Sequence, residues 1–386
     1  MQLALPSYFV DMPCSVLPSS KIALKINTGK TRKMIMDTKT PTNSLVSLII
    51  PAYQAEKTIK RCLNSLIAQT YRNIEILVVD DGSTDGTSRA IADISRSDNR
   101  ISCFRQGNGG IGSARNLGLS HAQGRYVGFV DSDDCVSPSY VSTLVSAIES
   151  QECIDLAICG YTTVFADYGF QLIEPSLNGI FSGEEILLRM LRSYDSCRFL
   201  VCWNKLFRRN ILSQMSFPES SYGEDALLVE QYYLRCRTVI CIPDTVYYYM
   251  HTSQGITRSS QAGVYYPKDL HMNLSHLRLA INSTRYAPAL KTLFMRTLDS
   301  SVLAQSKNRS EIEDSLALQN ITPLVYQQLS IYAKICSKIA SSSPRLYRIW
   351  LTIKGRIKKM KKISYIRRLP GRKVNNALPS NSAKNR

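Results

Sequence analysis

Acidic residues are absent from the C-terminal part of this 386-residue chain. Asp314 is the last aspartate or glutamate, whereas residues 315–386 contain sixteen lysines and arginines. This segment accounts for most of the net charge of +18 and leaves +2 for the first 314 residues. We therefore expect a nearly neutral folded body and a separate basic segment.

Three further patterns are missing. No run of eighteen apolar residues occurs, so we expect no membrane-spanning helix. The N-terminus has no basic flank followed by a continuous apolar stretch, so we expect no secretory signal there. The eleven cysteines form no Cys-x-x-Cys pair, which favours buried free thiols in a reducing compartment. With 44% hydrophobic and 20% charged residues, the composition is typical of a globular cytoplasmic protein.

Four regions follow one another along the chain. Residues 1–43 contain prolines without sustained periodicity and are expected to be a poorly ordered N-terminal extension. In residues 44–258, short β-branched runs alternate with helical spacing, which predicts an α/β domain with mostly parallel strands and flanking helices. Residues 259–340 are predicted to be a helical C-terminal region, and residues 341–386 a basic amphipathic helix and tail.

The predicted C-terminal helix has apolar residues at three- and four-residue spacing. They are Leu346, Trp350, Ile353, Ile357, Met360, Ile363 and Ile366. Lysines and arginines fill the remaining faces, a composition expected at an anionic membrane surface. The alternative is a helix docked on the protein itself with a solvated basic face. Nucleic-acid binding is disfavoured because the segment has no recognisable reader motif.

The first candidate functional site is a group of aspartates at the end of the apolar run 126–130. Asp131, Asp133 and Asp134 repel one another, and desolvation at the end of a buried strand adds to that cost. A hard divalent cation such as Mg²⁺ or Mn²⁺ would relieve the repulsion, because such ions prefer oxygen ligands. The alternative is a polar turn whose aspartates cap the next helix.

A second acidic strand end lies upstream, at Asp80 and Asp81. A carboxylate in this position could accept the N–H of a nucleobase. The Asp81-Gly82 pair could also form a hairpin turn. The hairpin is disfavoured because the following apolar residues return at helical spacing rather than alternating.

The glycine segment Gly107, Gly109 and Gly112 matches the fingerprint G-x-G-x-x-G of dinucleotide-binding proteins. It follows a predicted strand and precedes a predicted helix, as the fingerprint requires. However, a complete strand–helix–strand unit precedes it, whereas the fingerprint normally belongs to the first strand of its domain. The segment also fits a nucleotide-diphosphate site, in which Arg115 would supply positive charge.

A third acidic pair, Glu224 and Asp225, opens a predicted helix. The pair could simply be stabilised by the helix dipole. It could also supply a general base that takes a proton from an attacking hydroxyl group.

Together, several motifs resemble those of the family 2 inverting glycosyltransferases. The match is strong over residues 44–155. It continues more loosely to about Thr257, and this looser part includes Trp203–Phe207 and the two acids at 224–225. The strong motifs are VSLIIPAY (46–53), QTY (69–71), VDDGSTD (79–85), SARN (113–116) and DSDD (131–134). The fold of that family is the nucleotide-diphosphosugar transferase fold called GT-A, and the resemblance implies this fold here.

The resemblance also implies roles for individual residues. Pro51, Tyr53, Asp81, Arg115 and Asp131 are expected to bind the nucleotide, with Asp81 on the base and Arg115 on the pyrophosphate or the acceptor. Metal binding and catalysis involve a second set. Asp131 and Asp133 would form the D-x-D motif with Asp133 on the metal, and Asp225 would be the base, with Glu224 as the next candidate. The loose match also includes Tyr247–Tyr249, after which many relatives have an arginine, so His251 departs from the family pattern. His251 could be a further metal ligand, and the alternative is a polar surface histidine.

We therefore predict a metal-dependent inverting glycosyltransferase at the inner membrane face. It would use a UDP-sugar and Mn²⁺ or Mg²⁺ to extend a lipid-linked or surface polysaccharide. The alternatives are an NAD-dependent oxidoreductase built on the glycine fingerprint and a non-enzymatic membrane adaptor. The adaptor would leave three acidic clusters unexplained.

Overall fold

The computed structural model describes residues 43–165, 170–174, 176–192, 197–218 and 223–251, and stretches between 274 and 351. The predicted N-terminal extension and most of the predicted basic helix lie outside the described residues. The chain divides into two compact units, residues 1–268 and 269–386. This division falls at residue 268, whereas the sequence pattern suggested 258, and the predicted domain boundaries stay a prediction. No described helix has the length and apolar character needed to cross a membrane.

The first unit is built on one mixed sheet. Its strands are β1 (Val46–Ala52), β2 (Ile74–Asp80), β3 (Ile101–Arg105), β4 (Tyr126–Phe129), β5 (Cys135–Val136), β6 (Leu156–Phe165), β7 (Phe170–Glu174), β8 (Gly179–Ser182), β9 (Lys205–Arg208) and β10 (Thr238–Met250). The strand order is β3-β2-β1-β4-β9-β6-β10-β5, with β7 beside β6 and β8 beside β10. Strands β3, β2, β1 and β4 are parallel to one another, and so are β6 and β10. Strand β9 joins the two groups through antiparallel pairing.

Helices flank this sheet. They are α1 (Ile59–Ile67), α2 (Thr87–Ser95), α3 (Ile111–His121), α4 (Tyr140–Ile148), α5 (Gly183–Arg192), α6 (Cys197–Leu200), α7 (Arg209–Leu212) and α8 (Glu224–Arg235). The prediction of a mixed α/β sheet with flanking helices is therefore confirmed.

The core follows from the alternation of side chains along β1. All seven residues of β1 are buried, because β2 and β4 pair with its two edges and helices cover its two faces. Val46, Leu48 and Ile50 belong to a large apolar cluster that also contains the inward face of α1. Ile49, pointing to the opposite face, lies beside Gly118 of α3. Both faces of the strand are covered, as expected for a parallel sheet.

The second unit is helical in the part that the structure describes. It contains α9 (Leu290–Leu303), a 3₁₀ turn (Tyr326–Gln328) and α10 (Ile331–Ser342). The hydroxyl of Tyr347 donates a hydrogen bond to Asp299 Oδ1 of α9 at 2.8 Å. The predicted helical C-terminal part is confirmed.

We predict that Gly124→Ala destabilises the first unit by about 1–3 kcal/mol, the usual cost of overpacking. A Cβ atom at this position would lie 2.6 Å from the backbone nitrogen of Ser47 and 2.8 Å from the carbonyl oxygen of Leu45. Because β1 is buried and paired on both sides, its backbone cannot easily move away. Urea unfolding measures the effect. Gly107→Ala is the matched control, since no atom lies within 4 Å of its added Cβ, and equal losses in the two variants would contradict the prediction.

Candidate active site

The loops that follow β1, β2, β3 and β4 lie at one edge of the sheet. Ala52 is paired with Asp80 and Asp80 with Arg105, so the first three strands end together. Pro51 is buried near the end of β1, and the described loops beyond it carry most of the predicted site residues. Ligands of parallel α/β sheets bind at this kind of edge.

Tyr53, the first residue after β1, has its side chain at this edge and is 50% exposed. The next residue, Gln54, has a φ of +50° and is held by the loop after β2. Its N–H donates to Ser83 Oγ at 3.1 Å, and its Oε1 accepts the N–H groups of Thr84 and Asp85 at 3.0 and 3.2 Å. The loop is thus fixed, and it leaves the Tyr53 ring accessible for stacking.

The Asp81 carboxylate binds the glycine segment. Asp81 is 3% exposed. Its Oδ1 accepts the N–H of Gly109 at 2.8 Å and Gln106 Nε2–H at 2.7 Å, and its Oδ2 accepts the N–H of Gly110 at 2.9 Å. These backbone amides point to an internal carboxylate instead of forming a cradle for a pyrophosphate. The arrangement therefore gives no support to the dinucleotide fingerprint, and the contact of Asp81 with a base stays a prediction.

The three aspartates after β4 have different surroundings. Asp134 is fully buried and accepts the Tyr247 hydroxyl at 2.7 Å and the N–H of Met250 at 2.8 Å. Burial and the charges of Asp133 and Asp131 raise the pKa of Asp134 well above its ordinary value. Asp134 thus anchors the turn to β10. None of the aspartates caps the following helix, whose N-cap is Ser139, so the helix-cap alternative is wrong.

Asp133 shows the desolvation and the repulsion between carboxylates that the sequence predicted. Burial first, and then the charge of Asp131, raise the pKa of Asp133 to about 6. The charge of Arg61 opposes this rise in pKa, but its guanidinium donates to the backbone carbonyl of Asp133, at 2.5 Å. A cation beside Asp131 and Asp133 would relieve the repulsion between their carboxylates.

These two carboxylates suit Mg²⁺ or Mn²⁺, which are often held by one or two carboxylates together with phosphates and water. His251 does not join them in the described residues, where no three His, Cys, Asp or Glu side chains form a possible metal site. Its N–H donates to the Val164 carbonyl at 2.8 Å, and its ring packs against Phe165 with centroids 4.1 Å apart. The role of His251 as a ligand stays a prediction.

Arg115 joins two of the acidic clusters. Its side chain is 2% exposed. One terminal nitrogen lies 2.9 Å from Asp131 Oδ1, and the other lies 2.6 Å from Glu224 Oε1. The guanidinium also lies 5.4 Å from the ring centroid of Phe217. It faces carboxylates instead of solvent, and a contact with pyrophosphate stays a prediction.

Glu224 and Asp225 form the first turn of α8, after Gly223 with a φ of +73°. Glu224 is buried against Arg115. The Asp225 carboxylate instead accepts the N–H of Ala226 at 2.8 Å. Burial, followed by the charge of Glu224, raises the pKa of Asp225 to about 7. A pKa near the working pH is what a general base needs, so Asp225 is better suited than Glu224 to accept a proton.

Sequence reasoning included Lys205 in the motif Trp203–Phe207 but gave it no role, and the structure shows it fully buried in β9. Its ammonium group donates to the carbonyl oxygens of Arg198 and Val201 at 2.9 and 2.5 Å and to Asn204 Oδ1 at 2.8 Å. Burial lowers the pKa of Lys205 to about 8. The ammonium fixes the segment 198–204. A lysine within the apolar run 201–207 was the available signal.

Trp203 on this segment belongs to an aromatic cluster behind the aspartates. Its ring is stacked on Tyr247 and Tyr249, with centroids 4.4 and 5.8 Å apart. The Tyr247 hydroxyl accepts the N–H of Asp131 at 3.2 Å while donating to Asp134. The stacked rings therefore support the geometry of the acidic turn.

Comparisons with known proteins place the first unit among the relatives of one family. The model for glycosyl transferase family 2 matches residues 47–216. This part of the chain is therefore similar to the family 2 glycosyltransferases, as the sequence motifs indicated.

Among curated relatives, the chain is similar to the glycosyltransferase GlyA of Streptococcus pneumoniae. The two are 33% identical over 219 residues, which cover 55% of this chain and 31% of GlyA. The chain is also similar to WfaP of Escherichia coli, a UDP-Glc:alpha-D-GlcNAc-diphosphoundecaprenol beta-1,3-glucosyltransferase. Here the identity is 35% over 178 residues, which cover 45% of this chain and 64% of WfaP. The matches thus span less than two thirds of either relative.

Among solved structures, residues 1–349 of Staphylococcus aureus TarS in complex with UDP-GlcNAc align with a TM-score of 0.49. The identity is 22%, and the alignment covers 73% of this chain and 91% of that chain.

We predict that Arg115→Met destabilises the protein by about 3–5 kcal/mol, because it leaves two carboxylates without their buried partner. In a double-mutant cycle, Glu224→Gln should recover part of the loss, with a coupling energy of about 0.5–3 kcal/mol. Urea unfolding of the two single variants and the double variant measures both values. Strictly additive losses would show that the Arg115–Glu224 pair contributes no coupling.

Proposed function

We propose that this protein transfers a sugar from a nucleotide diphosphate sugar to a hydroxyl group of a glycan acceptor, with inversion at the anomeric carbon. The main support is an acidic site in the part of the chain that matches glycosyl transferase family 2. In this site Arg115 links Asp131 to the helix that begins with Glu224 and Asp225. UDP is the favoured nucleotide and a lipid-linked or surface polysaccharide the favoured acceptor. The name of the relative WfaP, with its UDP-glucose donor and diphosphoundecaprenol-linked acceptor, supports both choices.

The donor would bind at the carboxyl edge of β1 to β4. The accessible ring of Tyr53 would stack on the base, and Asp81 with the glycine segment would form the adjoining wall. Asp131 and Asp133 would hold Mn²⁺ or Mg²⁺ beside the diphosphate. When bound, the metal ion would supply positive charge that stabilises the leaving diphosphate.

The acceptor would react from the opposite face of the sugar. Asp225 would take the proton of the acceptor hydroxyl, whose oxygen forms a bond to the anomeric carbon as the bond to the diphosphate oxygen breaks. A single displacement inverts the configuration and needs no covalent enzyme intermediate. Arg115 would keep the start of α8 aligned with the donor site, because the same guanidinium binds Asp131 and Glu224.

The proposal includes attachment to the inner face of the membrane. The support is the charge distribution: residues 315–386 contain sixteen basic residues and no acidic residue. Each basic residue near an anionic surface contributes about 1 kcal/mol of binding free energy. A lipid-linked acceptor would be presented at that surface.

We predict that Asp225→Asn lowers the transfer rate at least ~10²-fold, as expected for loss of a general base, while donor binding is nearly unchanged. In the wild type, the rate should rise with pH through the pKa of Asp225, about 7. Transfer from UDP-sugar at pH 5–9 measures both effects. Retention of wild-type activity in this variant would remove Asp225 from the mechanism.

The stability of the same variant has an expected pH dependence. The folded protein holds the Asp225 proton up to about pH 7, whereas an unfolded aspartate loses it at about pH 4. Deprotonation therefore weakens the fold increasingly as pH rises between these values. Asp225→Asn should raise the melting temperature at pH 8 but not at pH 4.

We predict that Asp133→Asn abolishes the Mn²⁺-dependent binding of UDP while leaving thermal stability intact or improved. The reason is that the raised pKa of Asp133 marks a carboxylate that is strained without a cation. Titration calorimetry with UDP and Mn²⁺ measures binding, and Asp93→Asn on the solvent side of α2 is the control. Metal-independent binding of NAD by the wild type would instead favour the oxidoreductase alternative.

A further inference from the structure

Helix α10 buries its small side chains and exposes its large apolar ones. The buried positions hold Ala333, Cys336, Ser337 and Ala340. The exposed positions hold Ile331, Tyr332, Ile335 and Ile339, which are 79%, 48%, 52% and 39% exposed. A surface helix ordinarily has the opposite arrangement, with its large apolar residues toward the protein. The outward side of α10 therefore has the character of a binding face.

Three of the exposed residues of α10, Ile331, Ile335 and Ile339, form one stripe, which we call the outer face of α10. Ile331, Ile335 and Ile339 are spaced by four residues and so lie on one side of the helix. Leu346 and Ile349, in the helical residues that follow, are 60% and 57% exposed. Six of the eight exposed large hydrophobic residues in the described part of the chain lie between 331 and 349. Scattered single residues would need no explanation, but such a concentration marks an interaction surface.

The charges around the outer face indicate what kind of partner can bind there. Lys338 and Arg345 are exposed in the same stretch, and residues 315–386 contain no acidic residue. A second copy of the chain would bring like charges together at the interface, which is unfavourable. A layer of anionic lipid headgroups would meet the basic groups with opposite charge, while the isoleucines enter the acyl boundary below it. Lysine and arginine can extend from such a face to the headgroups.

We propose that the outer face of α10 inserts into the headgroup boundary of an anionic membrane. The proposal rests on the membrane attachment proposed above, and it extends that attachment from the basic tail to a described helix that contributes apolar contact. It is independent of glycosyl transfer.

The test uses the full chain and anionic vesicles of phosphatidylcholine mixed with phosphatidylglycerol, since anionic headgroups attract polybasic segments, beside pure phosphatidylcholine vesicles. The variant is Ile331→Gln/Ile335→Gln/Ile339→Gln, which removes the stripe but keeps good helix-forming residues. Its binding to anionic vesicles should fall roughly tenfold or more, and the remaining binding should be more sensitive to salt. Leu234→Gln is the matched control, because Leu234 is a 52% exposed leucine on α8, outside the stripe. It should bind like the wild type.

Three kinds of result would overturn the proposal. The first is wild-type binding by the triple variant, or no binding of the wild type to anionic vesicles at low salt. The second is a lower melting temperature of the triple variant, since this would show that the face packs within the chain. The third is a wild-type dimer in analytical ultracentrifugation that the triple variant loses. UDP-sugar turnover with a water-soluble acceptor is measured in parallel, so that failure of the proposed enzyme activity is distinguished from failure of the membrane face.

Discussion

The candidate site depends on the double ion pair of Arg115. Burying a guanidinium and two carboxylates costs several kcal/mol of desolvation free energy for each ion. The cost is offset only if the partners are held at hydrogen-bond distance, as Asp131 and Glu224 are. The loop after β4, helix α3 and the start of α8 are thereby tied to one another. Because Asp225 follows Glu224 directly, the proposed base is positioned by a residue of the proposed donor site.

The sequence could predict the elements and the edge of the sheet that carries the site. Strands such as β1 and β2 are short apolar runs, and the acids at 80–81 and 131–134 follow strands directly, so local spacing was sufficient. The partners of these residues could not be predicted in the same way. Glu224 lies 109 positions from Arg115 in the sequence, and Gly109 lies 28 positions from Asp81. Such contacts depend on strand order and crossover geometry, which periodicity does not specify.

Chemical environment also separates residues that look equivalent in the sequence. Asp131 forms an ion pair with Arg115, whereas burial and the charge of Asp131 raise the pKa of Asp133. The Asp134 carboxylate instead accepts hydrogen bonds from Tyr247 and Met250. The three aspartates lie within four positions of the sequence, but only their surroundings assign Asp134 to anchoring the turn and leave Asp131 and Asp133 as the proposed ligands of a cation. The role of Lys205 is likewise determined by its surroundings, because the fold brings three oxygen acceptors to its ammonium group.

Helix α10 shows a different limit of sequence reasoning. Isoleucines at 331, 335 and 339 predict that one face of the helix will be covered, and periodicity by itself favours coverage by the protein core. The structure covers the opposite side, where alanine, cysteine and serine allow close packing. Hydrophobic spacing therefore predicts that one face of a helix will be covered by apolar groups, but it does not predict where these groups come from. The choice between core, second copy and lipid depends on the surrounding charge, and a stretch with basic residues and no acidic ones favours an anionic surface.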